Sequence, residues 1–327
     1  QNNKTQEVIV ATLKHNVRFC LFPEGTHRTK HSLQTLGKGA FRIALAANEE
    51  FGGEKPIYLV PVGIEYGDYF RYRSTCLISY GKAINVTEFI KGLDVENEAQ
   101  VMEPLRKELA HRMSELISYV KDDDNLYKKW SLTKILTSRF KDKGLAGNMA
   151  DNQSVLAQIE GACEEKPEKM QELLDQASEF DKKVEKAGIA MSSFRRKDLF
   201  FKALWKTLAA IVGLPYFIYS CLAALPMWGA AAYIRKGLKD PAFGNTVNLG
   251  VKLAGTLIWL PLLTLVMFLT TPWFIALPAV LAAIPAYSYF YDYQDFVRIL
   301  ISDCRLMQRK DLRKEFKEIE NSFIDLL

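Results

Sequence analysis

The sequence predicts an α/β layer, then a charged helical region, then a C-terminal membrane helical region. Three observations carry this. Short apolar runs with strand character flank a helical pattern between residues 17 and 81. Residues 90–200 are heavily charged and place apolar side chains at helical spacing. Residues 203–234 and 253–290 are almost free of charge, and each exceeds the roughly 20 residues that cross a bilayer once. The expected divisions are 1–94, 95–200, 201–295 and 296–327, the last a basic amphipathic helix.

Within the first region, "VRFCLF" (17–22) predicts a short buried strand and "GAFRIALAANEE" (39–50) a helix. "IYLVPVGI" (57–64) and "STCLISYG" (74–81) predict two further strands. Strands separated by a helix, with turn signals between them, suggest an α/β layer. The residues before position 17 predict the end of a polar amphipathic helix and show no signal or transit peptide. Starting on Gln1 rather than Met, the chain is expected to begin partway into a domain.

The charge balance excludes some classes. A formal net charge of +5 over 327 residues is too modest for a dedicated nucleic-acid binder, so no nucleic-acid partner is expected. The five cysteines are scattered and form no CxxC pair, which argues against a disulfide framework and against a zinc site. They are expected as reduced, buried thiols.

In the charged region, Val101, Leu105, Leu109, Met113, Leu116 and Val120 form one apolar stripe at helical steps. Further helices are expected around 125–142, 149–163 and 166–188, together making a bundle or hairpin packed on the layer. "SSFRRKDLFFKALWK" (192–206) interleaves Arg195, Arg196, Lys197, Lys202 and Lys206 with Phe194, Leu199, Phe200, Phe201 and Trp205. That mixture suits the membrane interface, where cations meet head groups and indole rings sit at head-group depth.

Both apolar runs contain prolines: Pro215 and Pro226 in the first, Pro261, Pro272, Pro278 and Pro285 in the second. These are expected to break the helices. An unbroken helix over 253–290 would be about 57 Å long, against a hydrocarbon core of about 30 Å, and "TTPW" (270–273) offers a turn. The intervening loop carries Arg235, Lys236, Lys239 and Lys252, and the tail carries Arg298, Arg305, Arg309, Lys310, Arg313 and Lys314. Positive loops stay cytoplasmic. Each run is therefore expected to enter and return, as a spanning or re-entrant hairpin, with two single crossings as the alternative.

The chemistry concentrates in "FCLFPEGTHRTKHSLQTLGKGAF" (19–41). Pro23 ends the ladder, and Gly25 permits a left-handed backbone or close approach to a ligand. Thr26 offers a hydroxyl. His27, Arg28, Lys30, His31 and Lys38 offer positive or switchable charge, suited to a phosphate. Glu24 can accept from a substrate hydroxyl or hold one of those cations. A hydroxyl and a phosphate at one place point to a phosphorylated polyol; a solvated loop of mixed charge is the plain alternative.

These residues resemble a known family. "FPEGT" (22–26) is similar to the third motif of the glycerolipid acyltransferases, which acylate glycerol 3-phosphate and lysophosphatidic acid. "LGKGAFRIALAA" (36–47) resembles the stretch after that motif, "YLVPVGIEY" (58–66) the fourth motif, and "DYFRYRSTCLISYGKAI" (68–84) the strand beyond it. The likeness covers roughly residues 10–90, and beyond them a larger membrane-embedded branch of the family more loosely. It implies a partial acyltransferase α/β layer whose substrate-binding set is Phe22, Pro23, Glu24, Gly25, Thr26, His27, Arg28, Lys38, Pro61, Arg71 and Arg73. Glu24 and Gly25 would line the glycerol-phosphate pocket. The family has Arg directly after the threonine, where this chain has His27, so Arg28 or His27 would take the phosphate, with Lys38 as a second cation. Pro61 would shape the floor beside the acyl chain. Arg71 and Arg73, alternating on one strand face, would reach the same phosphate or an acyl carrier's phosphopantetheine; solvated surface arginines are the alternative.

The implied reaction needs no cofactor or metal: an acyl-CoA or acyl carrier protein is the co-substrate, and 1-acylglycerol 3-phosphate or glycerol 3-phosphate the acceptor. The family's base is a His oriented by an Asp five positions later. Here Cys20 follows His15 at that spacing, Ser32 follows His27, Leu36 follows His31 and Leu116 follows His111. The dyad is therefore expected before Gln1, and the chain alone is expected to be inactive. Two other classes stand beside this reading. One is a membrane scaffold or lipid-binding protein that keeps the fold without the chemistry. The weaker is a transporter, since no acid lies within 203–234 or 253–290.

Overall fold

The structure is a computed structural model that describes residues 2–26, 28, 30–52, 54–93, 98–195 and 198–327. It is mostly helical, with few short strands, and three helices are long and apolar enough to cross a membrane.

The N-terminal region holds α1 (Asn2–Lys14), α2 (Gly39–Glu50), β1 (Tyr58–Leu59), β2 (Val62–Tyr66), β3 (Cys76–Tyr80), β4 (Ile84–Asn85), α3 (Val86–Lys91) and α4 (Glu98–Ser114). In α2, Phe41, Ala44 and Leu45 fall at i, i+3 and i+4 and are buried against Val101, Leu105 and Leu109 of α4. Leu36, Ile57, Ile84 and Val86 complete that core. Asn85 caps α3 by accepting from the Glu88 amide at 3.3 Å.

The expected α/β layer does not form among the described residues. Residues 17–22 are neither a strand nor buried: Phe19 is 47% exposed and Phe22 75%. A strand exists only where a neighbour takes up its backbone groups, and here no described strand lies alongside. The strands over 58–85 form two short antiparallel ladders, β1 with β4 and β2 with β3. They are two arms of one turn of chain, which favours antiparallel pairing over the parallel crossover of an α/β unit. Pro61 interrupts the ladder between β1 and β2 because it has no amide to donate. Between Leu59↔Ile84 and Val62↔Tyr80 the second arm carries one residue more than the first, so the register shifts as at a bulge.

The charged region folds into α5 (Leu126–Thr137), α6 (Gly144–Glu165) and α7 (Pro167–Lys186), close to expectation. The stripe read from 101 to 120 divides, however. α4 ends at Ser114, so Leu116 and Val120 leave the helix. Leu116 packs under β2, where a Cβ on Gly63 would come within 2.4 Å of the Leu116 Cβ and carbonyl oxygen.

The membrane region is α8 (Leu199–Ala223), α9 (Leu225–Lys236), α10 (Gly244–Thr270) and α11 (Trp273–Gln308), followed by α12 (Lys310–Leu326). Pro215, Pro261, Pro278 and Pro285 lie inside helices and do not break them. Neighbouring helices tolerate the freed carbonyls in apolar surroundings. Pro226 instead starts α9, and Pro272 caps α11 after a turn at Thr271. Two helix pairs result. α8 packs along α11, with Tyr289 donating to the Gly213 carbonyl (3.1 Å) and Tyr293 to that of Ala210 (2.8 Å). α10 returns as α11, tied by Lys252 to Ser288 at 2.9 Å.

The expected divisions at 200/201 and 295/296 fall near the start of α8 and inside α11, and that at 94/95 lies outside the described residues. α11 runs unbroken into the charged bundle, and the apolar face of α12 (Leu312, Phe316, Ile319, Phe323) is buried there with Leu132, Ile135, Leu173 and Phe180. At that junction Asp303 is fully buried, accepting from Lys206 and Ser193 at 2.7 Å each.

Candidate functional site

The loop from Phe22 to Lys38 is built by short-range bonds. Gly25 adopts φ +71, a left-handed turn that lets its amide reach the Phe22 carbonyl (3.1 Å). The Gly37 amide donates to the Pro23 carbonyl at 2.6 Å and closes the loop at its base. A Cβ at Gly37 would stand 3.2 Å from that oxygen, so the closure is tight. Within it the Glu24 carboxylate, half-buried, accepts from the Gln34 amide at 3.3 Å. The Gln34 side chain donates to the Thr26 carbonyl at 2.7 Å.

The basic residues separate into two groups. Lys30 pairs with Asp122 at 3.0 Å and lies over the Tyr127 ring. His31 stacks on Trp130 with ring centroids 3.6 Å apart, while its carbonyl accepts from the Val120 amide. Burial, aided by the charge of Lys134, pushes the His31 pKa down to about 4. These two residues therefore dock the loop on the bundle and are spent as ligands for an anion. Arg28 and Lys38 remain exposed, with Lys38 at the start of α2, where orphan amides favour negative charge. His27 lies outside the described residues.

The other expected site residues sit elsewhere. Pro61 is buried against Gly81, whose amide donates to the Pro61 carbonyl at 2.9 Å. Arg71 and Arg73 are not on a strand: they belong to the turn between β2 and β3, with Arg73 at φ +63. Arg71 pairs with Asp295 at 2.6 Å and Arg73 with Asp292 at 3.1 Å, both on α11. Tyr72 between them packs edge-on against Tyr287 and Tyr291, and Asn245 donates to the Tyr69 carbonyl at 2.8 Å. Each guanidinium thus meets its own carboxylate, and the pair latches the hairpin to the membrane helices.

No family model, curated protein or solved structure matches the chain. The assignment of chemistry therefore rests on the residues. Phe22, Pro23, Glu24, Gly25, Thr26, Arg28 and Lys38 are brought into or beside one closed loop; Pro61, Arg71 and Arg73 are not part of it. Among the described residues no group of His, Cys, Asp and Glu is arranged to hold a metal ion. All five cysteines are free, as expected, but none is buried: Cys20 and Cys76 are exposed, and Cys163, Cys221 and Cys304 are half-buried.

Sequence reading missed the Trp130 and Asp122 partners and the two α11 aspartates. The first pair lies about a hundred residues downstream of the loop, on elements whose approach no local pattern announces. Asp292 and Asp295 carried a usable signal, being the first acids after a long charge-free run.

Proposed function

We propose that this chain carries the acceptor-binding part of a membrane acyltransferase of phospholipid synthesis. In that reading an acyl group passes from an acyl-CoA or acyl-carrier-protein thioester to the hydroxyl of 1-acylglycerol 3-phosphate, with glycerol 3-phosphate second. The observation that carries it is the closed Pro23–Gly37 loop, which holds Glu24 beside its turn and leaves Arg28 and Lys38 exposed. A carboxylate that can accept from a hydroxyl, beside cations that can take a phosphate, matches a glycerol phosphate. The resemblance of "FPEGT" and the motifs after it to the glycerolipid acyltransferases supports the same choice. The latch from Arg71 and Arg73 fastens the β2–β3 hairpin of the same N-terminal region to apolar helices, which supports an acceptor drawn from a membrane.

Acyl transfer also needs a base for the acceptor hydroxyl. The described histidines do not supply it: His31 is engaged with Trp130, and no His in the sequence has an Asp five positions on. The reading therefore requires a His–Asp pair from residues outside this sequence. In the second reading, a lipid-binding scaffold, no such pair is needed, and its absence here is what favours that alternative. Membrane attachment with the loop on the cytoplasmic side follows in both.

The test compares this 327-residue chain with the same chain extended by whatever residues are encoded before Gln1. Each is given acyl donor with glycerol 3-phosphate or its 1-acyl form, and products are read by mass. Product from the extended chain alone supports the enzyme. Product from the shorter chain refutes the outside dyad. Acceptor binding with no product from either supports the scaffold.

A further inference from the structure

The α8–α11 pair carries a groove that acyl transfer does not use. Its volume is about 390 Å³, within the range of small-molecule sites. Phe217 of α8 and Tyr293, Val297 and Ile301 of α11 form its apolar wall, and Arg298 and Arg305 stand at its border. Among the described residues no carboxylate lines it.

The two guanidiniums are only partly committed. The Arg298 side chain is 78% exposed and reaches Asp295 at 3.5 Å, a carboxylate that Arg71 already holds at 2.6 Å. Arg305 uses its Nη1 for the Ala187 and Gly188 carbonyls at 3.2 and 3.3 Å. A guanidinium has five N–H donors in a fork that fits a phosphate. The groove begins where α11 passes from its charge-free stretch to Asp292, Asp295 and Arg298. A membrane helix meets head groups at such a passage.

We propose that this groove binds one anionic phospholipid of the surrounding bilayer. Its phosphate would lie between Arg298 and Arg305, and the upper part of an acyl chain along Val297, Tyr293 and Phe217 toward the charge-free stretch of α11. The charge of the border selects an anion, and the apolar wall selects an anion that carries a chain. This site stands whether or not the chain takes part in acyl transfer.

The test uses the whole chain in nanodiscs of phosphatidylcholine with a minority of phosphatidylglycerol, and native mass spectrometry of the released protein. One phosphatidylglycerol should be retained in preference to phosphatidylcholine. Arg298→Gln should weaken that retention roughly tenfold. Val297→Trp should abolish it by filling the groove with no change of charge. Lys314→Gln removes the same charge from an 80% exposed site outside the groove, and should leave retention unchanged. Equal retention of the two lipids overturns the proposal. So does an equal effect of Lys314→Gln and Arg298→Gln, which marks a general surface field, and so does retention that survives Val297→Trp.

Discussion

At the scale of single residues, Glu24 and His31 show how one basic loop divides its work. Glu24 accepts one backbone bond and keeps its second oxygen for another donor. Glu24→Gln preserves an acceptor for the Gln34 amide while removing the charge, so the loop should keep its shape. Under the proposed acceptor-binding role, titration calorimetry with 1-acylglycerol 3-phosphate should then show about tenfold weaker binding, the worth of one charge-assisted bond. His31 does the opposite job. Its folded pKa of about 4 lies below the ordinary 6.5, so folding holds it neutral. Its contribution is complete above pH 6.5 and is lost as the pH falls toward 4, because the unfolded chain binds the proton first. Between pH 7 and pH 5 the loss should be about 2 kcal/mol. His31→Phe should keep the stack on Trp130 and remove that part of the pH dependence; urea midpoints of both proteins at the two pH values check it. An identical pH response in the two would mean that burial does not hold His31 neutral.

At the scale of elements, the β2–β3 hairpin joins three bodies. Its inner face meets Leu116, and the buried Glu65 carboxylate accepts from the Ser118 amide at 3.0 Å. Gly63→Ala drives a methyl into the Leu116 backbone at 2.4 Å and should cost about 1–3 kcal/mol by thermal unfolding. Its turn carries the latch. Tyr72→Ala removes both edge-on contacts with Tyr287 and Tyr291 and should loosen the turn from α11, which faster proteolysis between residues 68 and 75 would report. The sequence made α2 and α4 to α7 legible because apolar residues at helical steps state which face is buried, as Phe41, Ala44 and Leu45 do. It misplaced Val17–Phe22 because a strand is a property of two segments, and no pattern in one segment names its neighbour. It likewise set Arg71 and Arg73 on a strand facing a phosphate, since nothing local to "RYR" reveals Asp292 and Asp295 some 220 residues away. In the candidate site, the turn at Gly25 and the acid at Glu24 were readable. That His31 and Lys30 are consumed by docking was not.

At the scale of the whole molecule, the latch decides how the apolar helices lie. Asn245 begins α10 beside Tyr69, and Asp292 and Asp295 close the lower part of α11 beside Arg73 and Arg71. Both ends of the α10–α11 hairpin are therefore on the side of the hairpin loop. Two single crossings would carry the 237–243 segment to the opposite side from Tyr69, whereas Asn245 bonds to it, so the hairpin arrangement is the one we expect. α8 belongs to the same side at its foot, where Lys206 meets Asp303. In a chain whose five cysteines are replaced by serine, single cysteines at Lys239, Thr271 and Lys310 should separate cleanly. A membrane-impermeant maleimide added to sealed spheroplasts should label the Thr271 position alone, because the cationic segments stay cytoplasmic. Permeabilisation should then expose the other two together. Labelling of Lys239→Cys in sealed spheroplasts while Lys310→Cys stays protected would place a single crossing between them and undo the hairpin.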